Sequence, residues 1–417
     1  MTEYRLSYVK TLLAAMAIGL VAFLGTPPIA AHRIGIAKTL VETIGRALIL
    51  LASCVALGAL VTLYRDRAQA KGKLDLFCAS NAPRSEEGLA TAHHELGILL
   101  RRLWRRVFGG NWLLVGDIVE IRSLEEIRKT LDPSGCLDGL PFMAEMIESC
   151  GRQAKVFRCV DKIYDYGRSK KLRRLKDVVL LGGLRCDGSA HGACQASCYL
   201  LWKTAWLRPI ADTEPRGGPS GHHAALAGHQ SKPSSGPYTC QYTKLATAST
   251  PMAWWDIRQD VRPLLTGNVT LAAFCVAIIT RVFNVVQGAR GGVGFPAMVP
   301  ERERSIRASD QSFAPGDTIR VNSMQAIMAT LNDKGRNRGL WFDRDMVKHC
   351  GRRYTVRRRV ERIIDDATGQ MLEMKTPCLV LAGVEASGEF LRFCAQHEYP
   401  FWREAWLSSE PGAICSR

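Results

Sequence analysis

Gly116-Asp117-Ile118-Val119-Glu120-Ile121-Arg122 and Gly316-Asp317-Thr318-Ile319-Arg320-Val321 are one turn and one strand written twice, 200 residues apart. The likeness runs on from that point without a gap: residues 112–207 align with 312–407, and 29 of the 96 positions are identical. Gly139-Leu140-x-Phe142 returns as Gly339-Leu340-x-Phe342, and Cys150-Gly151-Arg152 as Cys350-Gly351-Arg352. The end returns too, Tyr199-x-x-Trp202-x-x-Ala205-Trp206-Leu207 as Tyr399-x-x-Trp402-x-x-Ala405-Trp406-Leu407. A whole folding unit is therefore duplicated, not a short motif.

Within each unit the first strand is followed by helix-compatible stretches, 124–131 and 324–331. Residues 155–163, 178–184 and 199–207, with their partners 200 positions on, are short and rich in β-branched and aromatic side chains, the composition of strands. Four or five short strands with one or two helical turns predict an α+β, mainly β, tandem repeat. The Gly-Asp-x-Val-x-Ile opening resembles the start of SH3-like and KOW-type barrels, so each repeat is expected to be a small, partly open SH3-like barrel. Such barrels host unrelated functions, and the likeness implies no activity.

Outside the repeats the chain of 417 residues carries a formal charge of +17, which calls for an anionic partner. Residues 11–31 and 47–64 contain no charged side chain. About 17–20 apolar residues cross a bilayer, so two N-terminal transmembrane helices are expected, making 1–75 a membrane anchor. Arg5 and Lys10 before the first stretch leave a cleaved signal peptide as the rival reading. The excess of Lys and Arg after the second stretch predicts a multi-pass membrane protein with its body in the cytoplasm. Residues 90–110 include a basic amphipathic helix whose Arg101, Arg102, Trp104, Arg105 and Arg106 suit anionic lipid headgroups, or a helix packed on repeat one with a solvated basic face.

Between the repeats, 208–250 reads as a flexible linker, richest in Gly, Pro, Ser and His over 211–237. An apolar connecting segment, 251–300, follows; its stretch 267–286 fits either a membrane-associated helix or one packing the two repeats together.

A duplication lets one copy serve as the control for the other. Residues kept in both belong to the fold, and residues present in one are better candidates for function. Repeat one contains Cys186-x4-His191-x2-Cys194-x3-Cys198, where repeat two has Ala386, Leu391, Cys394 and Glu398. Three thiols and an imidazole match the ligand set of a tetrahedral zinc site; an iron–sulfur cluster is the alternative. Cys194 is also compatible with a packing role, because Cys394 persists where the other ligands are gone. Cys186, beside Asp187 and near His191, could instead be an activated nucleophile, giving a metalloenzyme or thiol enzyme. Arg158, Asp161, Lys162 and Asp165, whose charge type recurs in repeat two, read as an ion-pair ladder.

The chain has no P-loop, dinucleotide-binding glycine pattern or serine-hydrolase elbow. Arg352, Arg353, Arg357, Arg358 and Arg359 leave nucleic acid as a third class of partner, but with Tyr354 as the sole interleaved aromatic the run does not suit base stacking. The motif Arg185-Cys186-Asp187-Gly-x-Ala-His191-Gly-x-Cys194-Gln-Ala-x-Cys198 resembles that of a family of uncharacterised bacterial proteins built on the same duplicated unit, over roughly 110–410. That resemblance implies a recurring unit and no activity. The expectation is a membrane-tethered, zinc-binding interaction or scaffold protein with a possible protein partner.

Overall fold

The computed structural model describes residues 113–210, 236–253, 258–298 and 311–409. Each repeat carries an antiparallel sheet in the same order. In repeat one the neighbours run Tyr199–Lys203, Val178–Arg185, Gln153–Cys159, Ile118–Ile121, Leu207–Pro209. Repeat two has Met371–Leu381, Arg353–Ile364, Thr318–Val321, Leu407–Ser409, and closes the far edge with a single Leu379–Trp402 bridge. The two sheets are half-barrels, consistent with the barrel part of the sequence reading.

The shared residues do the same work twice. Ser123 and Ser323 cap the short helices Leu124–Arg128 and Met324–Met328 by accepting from the third backbone N–H. Trp206 and Trp406 are fully buried, each donating its indole N–H to the hydroxyl of Thr130 or Thr330 at 3.1 and 3.0 Å. Phe142 and Phe342 meet these indoles edge-on, at 5.3 and 5.2 Å between ring centres. Asp117 and Asp317 fix the opening turns by accepting from Leu114 and Ala314 N–H.

The repeats also hold each other. Gln195 N–H donates to Arg362 O (3.0 Å), and Ile364 N–H to Cys194 Sγ (3.4 Å). Subtracting or adding 200 gives the reciprocal contacts, Ala395 N–H to Lys162 O (3.4 Å) and Tyr164 N–H to Cys394 Sγ (3.2 Å). The repeats thus pack about a local pseudo-twofold axis. Arg185 and Glu385, equivalent positions, meet there at 2.7 Å, with the guanidinium between the rings of Tyr199 and Tyr399 at 3.7 and 3.9 Å.

The expectation of two transmembrane helices, and with it the multi-pass membrane localisation, is corrected. Among the described residues no helix is long and apolar enough to cross a membrane. The long apolar helix that is described, Leu271–Ala289, packs on the body instead of standing free. Phe274, Ala277 and Ile278 are buried with Phe393, and Arg281 approaches Asp260 at 3.7 Å. Residues 11–31, 47–64 and 90–110, with Arg101, Arg102, Trp104, Arg105 and Arg106, lie outside the described residues.

Candidate metal centre

The strand Val178–Arg185 leads into Cys186, whose N–H donates to Cys198 O at 2.8 Å and so ties the two ends of the loop 186–198. Inside the loop Gly188 has φ +77°, and a Cβ there would lie 2.2 Å from Cys194 O, so a glycine is required for the turn to close. Gly388 repeats this at φ +72° against Cys394 O, also 2.2 Å, so the turn belongs to the fold and only its cargo differs.

The turn brings His191 Nε2 to 3.3 Å from Cys186 Sγ. Behind the ring stands Glu145, on the 3-10 turn Ala144–Ser149, with Oε1 2.8 Å from His191 Nδ1. This is charge proximity at hydrogen-bond distance: the ring N–H is not aimed at that oxygen, and neither Nδ1 nor Glu145 Oε2 has a well-aligned partner. Glu145 also accepts from Ala190 N–H at 3.2 Å. Glu145, Cys186 and His191 place one donor atom each within 4.8 Å of one another, the geometry of a potential metal group.

Cys186 and His191, but not Glu145, border a cavity of about 30 Å³, whose walls also include Cys194, Cys198, Cys240 and Asp366. Such a volume admits one water or one ion. No Lys or Arg lines it. Cys198, Cys240 and Asp366 are half-buried and line this cavity.

The electrostatics follow from that enclosure. Burial, then the Glu145 carboxylate, pushes the Cys186 thiol up; burial, then Asp366, pushes Cys198 well up; burial takes Cys240 to about 11. Asp366 is pushed up to about 6 by burial and by Asp365 and Asp165. Burial opposes ionisation of Glu145 as well, but His191 and the Ala190 N–H outweigh it and hold that carboxyl below its ordinary range.

Of the four residues singled out in the sequence, Cys186 and His191 are in direct contact. Cys194 and Cys198 line the same cavity, and Cys194 Sγ already accepts from Ile364 N–H, the duty that Cys394 performs in repeat two. Asp187 caps its own turn, accepting from Ser189 N–H at 2.9 Å. Sequence reasoning missed Glu145, Cys240 and Asp366. A signal existed for the first, since position 345 is also acidic: Asp345 holds the equivalent loop through Ser387 and Gly388 N–H. Nothing in the sequence pointed to the other two.

The ladder of Arg158, Asp161, Lys162 and Asp165 does not form. Asp161 pairs with Arg262 at 3.2 Å, buried Lys162 reaches Gln259 O, and Asp165 caps the turn at Arg168 and Ser169. The basic run of repeat two is split: Arg357 faces outward, Arg358 turns in to Gln195 O, and Arg359 meets Glu404 at 2.8 Å. No protein-family model and no curated protein matches the chain.

Proposed function

We propose that this protein is a metal-centred interaction or scaffold module in which repeat one holds a zinc ion and repeat two is its metal-free structural counterpart. Cys186 Sγ, His191 Nε2 and Cys198 Sγ supply ligands, and Glu145 stands behind the imidazole as its neighbouring carboxylate. The observation that carries this reading is the small cavity lined by thiols and one imidazole, with no cationic side chain on its wall. Buried thiols that resist ionisation become thiolates when a dication sits among them. An iron–sulfur cluster needs several metal atoms and is disfavoured by about 30 Å³ of space.

A second reading draws on one specific observation. The sequence Cys186 Sγ, His191 Nε2, His191 Nδ1, Glu145 Oε1, at 3.3 and 2.8 Å, is the order of nucleophile, base and orienting carboxylate in a thiol acyl-transfer site. Against it stand a thiol pushed up rather than down and a Cys186 N–H already given to Cys198 O.

Metal analysis of the protein purified anaerobically, beside Cys186→Ser, tests the first reading. It predicts one zinc per chain, absent from the variant. A metal-free wild type whose Cys186 is alkylated faster than its other thiols would instead support the second.

A further inference from the structure

The cavity wall is not made by repeat one alone. Cys240 comes from the segment that follows the linker, and Asp366 from the hairpin between the strands Arg353–Ile364 and Met371–Leu381 of repeat two.

Cys240 is held at the cavity. The neighbouring Gln241 side chain extends the sheet edge, accepting from Leu201 N–H (2.7 Å) and donating to Leu201 O (2.9 Å) and Pro141 O (3.0 Å). Tyr242 donates its hydroxyl proton to Tyr199 O at 2.9 Å, and Cys240 N–H donates to Thr243 Oγ1 at 2.9 Å. A half-buried thiol fixed by five such bonds is positioned as firmly as those of the loop 186–198.

Asp366 is equally constrained. Gly167 packs on its backbone so closely that a Cβ at 167 would meet Asp366 C at 2.9 Å. Tyr238 N–H donates to Gly369 O at 2.7 Å, joining the start of the Cys240 segment to the same hairpin. Gly369, at φ +74°, leaves no room for a Cβ beside Tyr238 O.

The pseudo-twofold shows what such a place looks like without a metal. Adding 200 to Cys198 gives Glu398, and subtracting 200 from Asp366 gives Tyr166. These two are hydrogen-bonded to each other, a phenol donor satisfying a carboxyl acceptor. Repeat one replaces that self-sufficient pair with a thiol and a carboxylate. It adds Cys186, His191 and Cys240 around them, where repeat two has Ala386 and Leu391 at the first two positions. Acceptors and thiolate-forming groups facing one cavity without a donor cation are satisfied by a metal ion.

We propose that the metal shell is completed across the pseudo-twofold axis. Cys198 and Cys240, which line the cavity but stand outside the 4.8 Å group of Glu145, Cys186 and His191, close on the ion as third and fourth ligands beside Cys186 and His191, and Asp366 is the outer carboxylate contributed by repeat two. Resting on the zinc reading above, this makes the ion a staple that fastens the connecting segment and the second repeat to the first.

The test uses the full chain, with zinc content, cobalt(II) spectra and hydrogen exchange as readouts. The wild type binds one metal; Cys240→Ser loses it or binds at least 100-fold more weakly, with a sulfur-to-cobalt band diminished by one thiolate. Asp366→Asn binds about 10–100-fold more weakly, the cost typical of an outer-shell partner. Chelation speeds amide exchange in 238–243 and 364–371 more than around Trp206 or Trp406. If the wild type binds one metal, both variants bind it as tightly, and exchange at 364–371 ignores chelator, the cross-repeat shell is wrong while the zinc reading stands. A wild type that binds no metal overturns both.

Discussion

Repeat one and repeat two are the same scaffold with different contents in one loop. Both keep the capped helix, the tryptophan on its threonine, the glycine turn at 188 or 388 and the thiol that accepts from the opposite repeat. They part at positions 186, 191 and 198, where repeat one gathers thiols and an imidazole. Repeat two has an apolar pair and a Glu398 bonded to Tyr166, its carboxyl pushed by burial to about 7. The difference teaches that duplication frees one copy to specialise while the other keeps the pairing surface.

The equivalence of the cores is the easiest part of this comparison to break. Trp206→Ala and Trp406→Ala each remove a fully buried indole and its hydrogen bond. Each is expected to cost about 3–5 kcal/mol in urea denaturation. A large cost in one repeat and none in the other would refute the structural equivalence.

Next comes the axis. Arg185 donates to Glu385, Ser197 O and His397 O between two tyrosine rings, and its side chain is 10 % exposed. Arg185→Ala leaves Glu385 without that partner and is expected to cost about 3 kcal/mol. Exchanging the charges, Arg185→Glu with Glu385→Arg, should recover more stability than either change alone, because the positions are related by the pseudo-twofold.

The glycine turns sharpen the comparison further. Gly188→Ala and Gly388→Ala should each cost about 2–3 kcal/mol, since both meet a carbonyl oxygen at a positive φ. Gly183→Ala, with a positive φ but open space around its Cβ, should cost about 1 kcal/mol. Thermal melts of the three variants check the order.

The smallest effect separates the repeats by pH. His349, where repeat one has Ser149, lies against Tyr354 Oη at 2.6 Å, and burial pushes its imidazole down to about 4. A depressed histidine leaves the unfolded chain holding more protons between about pH 4 and 6.5. Its share of stability therefore rises with pH across that window and is complete above about 6.5. His349→Ser should flatten the fall in melting temperature between pH 6.5 and 4.5, whereas a fall as steep as that of the wild type would place the effect elsewhere.

Much of this was legible in the chain. The constant offset of 200 gave the two units, and alternation within 118–121 and the β-branched, apolar composition of 178–184 gave strands where Ile118–Ile121 and Val178–Arg185 stand. The Cys186 and His191 pairing was visible because both lie in one short loop closed by Gly188. Glu145 is 41 residues from Cys186, and only the packing of the 3-10 turn under the loop joins them. Cys240 and Asp366 were harder still. One sits in a stretch read as linker, and its place depends on Gln241 completing a sheet edge. The other is in the opposite repeat, brought in by a pseudo-symmetry that no local pattern encodes. The apolar stretch 267–286 was ambiguous because hydropathy is the same whether a helix meets lipid or, as the helix Leu271–Ala289 does, Phe393.

The most direct measurement rebuilds repeat one's pocket as repeat two's, with Cys186→Ala, His191→Leu, Cys198→Glu and Asp366→Tyr together, and compares its zinc content with that of the wild type. The account predicts one zinc per wild-type chain and none in a variant that still folds cooperatively, the new glutamate and tyrosine satisfying each other as Glu398 and Tyr166 do. A folded variant that keeps its zinc, or a wild type that never held any, would contradict it.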